Sequence, residues 1–88
     1  MQSELYERLA LDFFTPEHRN HESLAEGLIE EANEVKDAYA HETRKDILNE
    51  LGDVLWYITT MANQQGSSLE EIMRMNYYKL EERAINGK

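Results

Sequence analysis

Leu28-Ile-Glu-Glu-Ala-Asn-Glu-Val35 and Asn49-Glu-Leu-Gly-Asp-Val-Leu55 are the two stretches whose reading decides the fold of this chain. Each keeps apolar residues at helical intervals, and each carries two acids three residues apart: Glu31 with Glu34, and Glu50 with Asp53. On a helix that spacing makes neighbours on one face, with Cβ atoms about 5–6 Å apart. Like charges so placed repel and cost stability unless something positive sits on them. Two such pairs on consecutive helices describe a box for divalent cations.

Around these stretches glycine and proline are scarce, limited to Pro16, Gly27, Gly52, Gly66 and Gly87. No run alternates apolar and polar residues long enough to suggest a sheet. The chain therefore reads as all-α, a single domain over residues 1–88, with no internal repeat, low-complexity segment or dividing linker. A first helix is expected over 2–14, with Leu5, Leu9 and Phe13 as its apolar stripe and Tyr6 on the flank. Thr15-Pro16 then breaks the pattern, because proline disfavours helical geometry in the residue before it. Residues 16–21 read as a loop. Its His18 and His21 are expected to be solvated, because no third metal ligand lies near them.

The second helix is expected over 22–41, with Leu24, Leu28, Ala32, Val35 and Tyr39 as its buried stripe. With Leu28 at the centre of that face, Glu31 falls about 60° to one side and Glu34 about 120°. Gly27 and Ala38 share the acidic flank, where small residues either leave room for ions and a ligand or let helices pack closely. Glu30 points away and reads as a solvated acid, or one standing behind the ligands.

Thr43 opens the third helix, with Asp46 three residues on completing a capping box. Ile47, Leu48, Leu51, Val54, Leu55, Ile58 and Ala62 form a wide apolar face, edged by Asp46, Glu50, Asp53 and Tyr57. Trp56 lies off this face and would cover the core against another element or another subunit, the subunit contact being favoured. Gln64-Gln65-Gly66 ends the helix in a glycine cap, and Ser67-Ser68 with Glu71 starts the fourth with a second capping box. Its apolar positions are Leu69, Ile72, Met73 and Leu80. Asn76, Lys79 and Arg83 share one face, where an amide and two cations suit phosphate oxygens. A solvated edge ion-paired to Glu82 or neighbouring acids is the competing reading. Residues 85–88 are expected to fray.

Composition narrows the partners. Eighteen acids against nine Lys and Arg give a formal charge of −9. Nucleic acid is thus not an expected partner, since affinity for phosphate backbones comes from clustered cations. Solubility alone would explain the acidity; the metal reading rests on where the acids sit. There is no cysteine, which fits a reducing compartment. With no signal-like run and no apolar stretch near the roughly 18 residues of a membrane span, a cytoplasmic, membrane-free protein is expected. A chain of this length buries only about 60–65% of its unfolded surface, and without disulfides oligomerisation is the usual remedy.

Four carboxylates permit a definite chemistry. Mg²⁺ prefers oxygen ligands, keeps several waters and takes one or two carboxylates per ion, leaving positions for substrate phosphates. Two or three ions bridged by a polyphosphate would offset the acidic charge, and a water made more acidic by the metal becomes the nucleophile. Zinc is disfavoured without Cys or His near the acids. No Ser–His–acid constellation or Walker-type glycine loop is present.

Glu31-x-x-Glu34, a 15-residue gap, then Glu50-Leu-Gly-Asp53-Val-Leu-Trp-Tyr57 resembles the ExxE…ExxD signature of the MazG-like all-α nucleotide pyrophosphohydrolases. The similarity runs from about Gly27 to Arg83. It implies a four-helix module that forms a homodimer or dimer of dimers, its active site completed within a helical bundle formed by oligomerisation. It also implies Mg²⁺-dependent cleavage of an NTP or dNTP to the monophosphate and pyrophosphate, with Mn²⁺ as a substitute, in nucleotide-pool housecleaning. Carried over by position, Glu31, Glu34, Glu50 and Asp53 become the metal ligands. Asn76 and Lys79, joined by Arg83, match polar positions that contact phosphate. Glu34 is assigned as the carboxylate that orients or deprotonates the attacking water.

Two departures stand out. Asn33 occupies a position where many members have glycine, and the chain lacks segments that shape the base pocket in some relatives. Phe13, Phe14 and Tyr57 are candidates for stacking on a base or for the core. The phosphoribosyl-ATP pyrophosphohydrolases share the fold and the acidic motif, but the Tyr-His pair expected after their second motif is replaced by Trp56-Tyr57. From another class, the alternative is a non-catalytic acidic helical interaction module.

Overall fold

Two 21-residue helices, α2 (His21–His41) and α3 (Arg44–Gln64), form the frame of the protein. Each is about 30 Å long. Only Glu42 and Thr43 join them, so they run antiparallel and pack along their length. The link is a tight one. Glu42 N–H donates to the Ala38 carbonyl at 2.9 Å, and Thr43 Oγ1 accepts from Asp46 N–H while Asp46 accepts from Thr43 N–H, the expected capping box. The structure, a computed structural model, describes residues 1–13 and 21–87, with only the backbone of His21 and Glu22. Phe14, the Thr15-Pro16 break, residues 16–20 of the expected loop with His18, and Lys88 lie outside the described residues, as does the side chain of His21, whose backbone belongs to α2.

Among the described residues the fold is all-helical: α1 (Ser3–Ala10), a 3-10 turn (Leu11–Phe13), α2, α3 and α4 (Leu69–Asn86). No described helix is long and apolar enough to cross a membrane. The first helix is shorter than expected, because α geometry tightens to 3-10 after Ala10. Its inward face also differs. Ala10 is buried and Tyr6 and Glu7 are half-buried, while Leu5, Leu9 and Phe13 are exposed, Phe13 by 74%. The apolar stripe of α1 is therefore not what attaches it to the bundle.

Polar contacts do that instead. Trp56 Nε1–H donates to the Ala10 carbonyl at 2.9 Å. Trp56 thereby ties α1 to α3 within one chain. Glu7 Oε2 accepts from Leu69 N–H at 2.6 Å, at the first turn of α4. A carboxylate there satisfies one free amide and meets the positive end of the helix dipole. Glu7→Ala is expected to cost about 1–2 kcal/mol. Its thermal midpoint should drop by about 5–10 °C; an unchanged midpoint would mean that the contact carries no net energy.

The buried stripe of α2 is rotated from its expected place. Leu24, Gly27 and Ala38 are buried and Leu28 and Val35 half-buried, whereas Ala32 is exposed and Tyr39 is 69% exposed. On α3, Thr59 and Thr60 join Ala62 in the core. Their hydroxyls donate to the Leu55 and Tyr57 carbonyls at 2.8 and 3.0 Å, which lets polar side chains be buried without an orphaned group. Leu48, Leu51 and Leu55 form a stripe of the third helix that stays exposed.

Gly66, with φ +72°, turns the chain after α3 in the left-handed conformation that glycine tolerates. Ser68 Oγ then accepts from Glu71 N–H at 3.1 Å, while the Glu71 carboxylate pairs with the Ser67 hydroxyl rather than returning to the cap backbone. Half of the expected capping box is thus present. α4 continues to Asn86 and is capped by Gly87 at φ +70°, so helical order persists into the segment expected to fray. Beyond Leu69 every described residue of α4 is exposed. The helix leans on α1 and α3 near its start and projects from the body. The Cα radius of gyration, 14.7 Å, exceeds the roughly 12 Å of a compact chain of this length.

Candidate metal centre

The antiparallel pairing of α2 and α3 places the middle of one helix against the middle of the other. Glu31, Glu50 and Asp53 each offer a carboxylate oxygen there, all within 4.8 Å of one another. Glu31 and Glu50 are half-buried and Asp53 is exposed, so the group opens to solvent on one side. The exposed Glu34 stands beside them, close enough to raise the pKa of both Glu31 and Glu50. The acid pairs of the two helices therefore face a common point.

Crowding shifts these groups toward their protonated forms. Burial, the hydrogen bond to Glu34 and the charges of Glu34, Asp53 and Glu50 push the Glu31 carboxyl from 4.5 up to about 7. Glu50 is raised as well, first by its hydrogen bond with Glu34, then by burial and the charges of Glu34 and Asp53. A proton shared among acids is a weak substitute for a cation. Oε2 of Glu31 and Oε2 of Glu50 are buried yet accept no hydrogen bond, which carries a desolvation penalty. An all-oxygen, strongly anionic donor set with two orphaned buried oxygens fits a hard divalent cation and suits zinc poorly.

Two tyrosines border the cluster. Tyr57, four residues beyond Asp53, is half-buried, and its hydroxyl pKa is raised by burial and then by Glu31, Glu30, Asp53 and Glu34. Its ring occupies the space over Gly27: a Cβ added there would stand 2.6 Å from Cζ and Oη of Tyr57. Gly27 thus serves close packing against Tyr57, and Ala38 is fully buried. Tyr6 of α1 was not among the sequence candidates. Burial and then the Asp53 charge raise its pKa, and it lines a cavity of about 730 Å³ with Leu55, Leu69 and Met73. No helical period could reveal this, because it depends on how α1 docks.

Asn76, Lys79 and Arg83 do share one face, but on the projecting part of α4. Lys79 and Arg83 line a shallow groove with Glu82 and Asn86, all on the same helix. No described contact joins this face to the acids of the same chain.

The MazG nucleotide pyrophosphohydrolase domain matches residues 19–87, spanning all four carboxylates and α4. The chain belongs to the MazG nucleotide pyrophosphohydrolase family. Members of the MazG family typically depend on a divalent metal, in keeping with the donor set described above. The chain is also similar to the "Gene 37 protein" of Mycobacterium phage L5, at 36% identity over 72 residues. That match covers 69% of this chain and 63% of the phage protein. No solved structure gives a significant match.

Proposed function

We propose that this MazG-family protein is a cytoplasmic Mg²⁺-dependent pyrophosphohydrolase that converts an NTP or dNTP to its monophosphate and pyrophosphate, in nucleotide-pool housecleaning. The observation that carries this reading is the convergence of Glu31, Glu50 and Asp53 with buried, unpartnered oxygens on the first two. Glu31, Glu34, Glu50 and Asp53 hold the metal. When bound, the ion neutralises phosphate charge and makes a neighbouring water more acidic.

Water attacks the α-phosphorus, the bond to the oxygen bridging toward the β-phosphorus breaks, and pyrophosphate leaves with that oxygen. Glu34 takes the proton of the water. Its exposure and its place beside both Glu31 and Glu50 favour it for that role. Asn76, Lys79 and Arg83 bind the phosphate oxygens; both cations lie on an exposed face. Pyrophosphate release from a panel of NTPs and dNTPs, with and without Mg²⁺, tests the reading. Turnover of no nucleotide would favour the acidic interaction module.

The working form is a homodimer or a dimer of dimers. Only Ala10, Leu24, Ala38, Ala62 and Leu69 are buried apolar residues among those described, while Leu5, Leu9, Leu48, Leu51, Met73 and Leu80 stay exposed. That is a small core for a chain of 88 residues. A second copy laid on α3 and α4 would cover the stripe and bring an α4 cationic face toward a neighbouring acid cluster. Leu48→Glu is expected to shift the protein to monomer in size-exclusion light scattering. A wild type already monomeric at assay concentration would rule this arrangement out.

A further inference from the structure

Gly27 precedes Glu31 by one helical turn on α2, and Tyr57 follows Asp53 by one turn on α3. Since the helices are antiparallel, Gly27·Tyr57 and Glu31·Asp53 are successive rungs across the same seam. Glycine inside a helix costs about 1 kcal/mol relative to alanine, so the position needs a reason. The reason is the ring: a methyl group on Gly27 would sit 2.6 Å from Cζ and Oη of Tyr57, where carbon atoms prefer about 3.5–4.0 Å. A neighbour braces the ring. It packs edge-on against Trp56, with centroids 5.0 Å apart and planes at 89°, and Trp56 is itself fastened to the Ala10 carbonyl.

We propose that Tyr57 is a positioning residue: its ring, seated on Gly27, sets the α2–α3 separation at the acid cluster and so selects the size of divalent ion that the carboxylates accept. The inference rests on the metal reading of the cluster. Its physical basis is the difference between ions. Mg²⁺ requires near-ideal octahedral geometry at 2.0–2.1 Å, whereas Ca²⁺ accepts flexible coordination at about 2.3–2.6 Å. A methyl wedge at Gly27 must part the ring and α2 by up to about 1 Å, more than the difference between these ions.

The test is isothermal titration of the nucleotide-free protein with Mg²⁺ and with Ca²⁺, alongside circular dichroism for the fold. Gly27→Ala is expected to weaken Mg²⁺ binding by about tenfold or more and Ca²⁺ binding by less than threefold. Tyr57→Phe keeps the ring and should keep the wild-type Mg²⁺/Ca²⁺ ratio. Tyr57→Leu removes the ring and should lose that ratio, and adding Gly27→Ala to it should change little further, the non-additivity expected of a contacting pair. A ring that only fills space would lower thermal stability in these variants and leave the ratio alone. An unaltered ratio in Gly27→Ala or Tyr57→Leu, or a Tyr57→Phe shift as large as that of Tyr57→Leu, overturns the proposal. Wild type that binds neither ion instead sinks the metal reading of the cluster, so the two failures are distinct.

Discussion

Glu50→Gln is expected to lower Mg²⁺-dependent pyrophosphate release by about 10²–10³-fold while the helical fold is retained. Glutamine has almost the same shape as glutamate, but it loses the charge and replaces one oxygen with an amide that cannot ligate a cation. Oε2 of Glu50 is one of the cluster's two buried oxygens with no hydrogen-bond partner, so this change removes a donor that the fold has already desolvated. Losing a ligand that stabilises developing charge accounts for a drop of that size. Circular dichroism separates a chemical defect from unfolding. Wild-type turnover in a folded Glu50→Gln protein would remove Glu50 from the site.

The second large effect concerns protons. The folded state raises the Glu31 pKa from 4.5 to about 7, so it favours the neutral carboxyl. The stability this contributes is full below about pH 4.5 and is lost as pH rises through about 7. Reduced for the solvent that reaches a half-buried group, the difference is about 2 kcal/mol. Without divalent ions, Glu31→Gln should therefore melt about 10 °C above wild type at pH 8, because a neutral amide can still donate to Glu34. At pH 5 the two curves should nearly coincide. Mg²⁺ requires the ionised acid, so its affinity for wild type should climb as pH passes 7 and its stabilising effect with it. The variant should respond less to the ion. A Glu31→Gln midpoint at or below wild type at pH 8 would contradict the crowding of these acids.

The two predictions act in opposite directions on one cluster. An arrangement that is costly alone becomes favourable with a cation, which is why replacing an acid can stabilise the chain and disable it together. Neutralising substitutions on solvated edges would show neither effect, so the pair of measurements also separates a metal centre from ordinary surface acidity.

Much of this was legible in the residue order. The scarcity of glycine and proline, the Thr43–Asp46 box, the Gly66 turn and the acid spacing follow from local chemistry, and local chemistry dictates four helices and which acids share an edge. Family membership adds the reaction class proposed for it. What local spacing could not provide was the rotation of each helix about its own axis. Gly27 and Ala38 lie inward, Gly27 against Tyr57, while Tyr39 stays outside. Trp56 is drawn inward by the Ala10 carbonyl, and α1 docks through Glu7 and Tyr6 while its leucines stay exposed. Periodicity marks an apolar stripe but is blind to what lies opposite it, and only the partners across the seam determine which side chains are buried and how far apart the carboxylates stand.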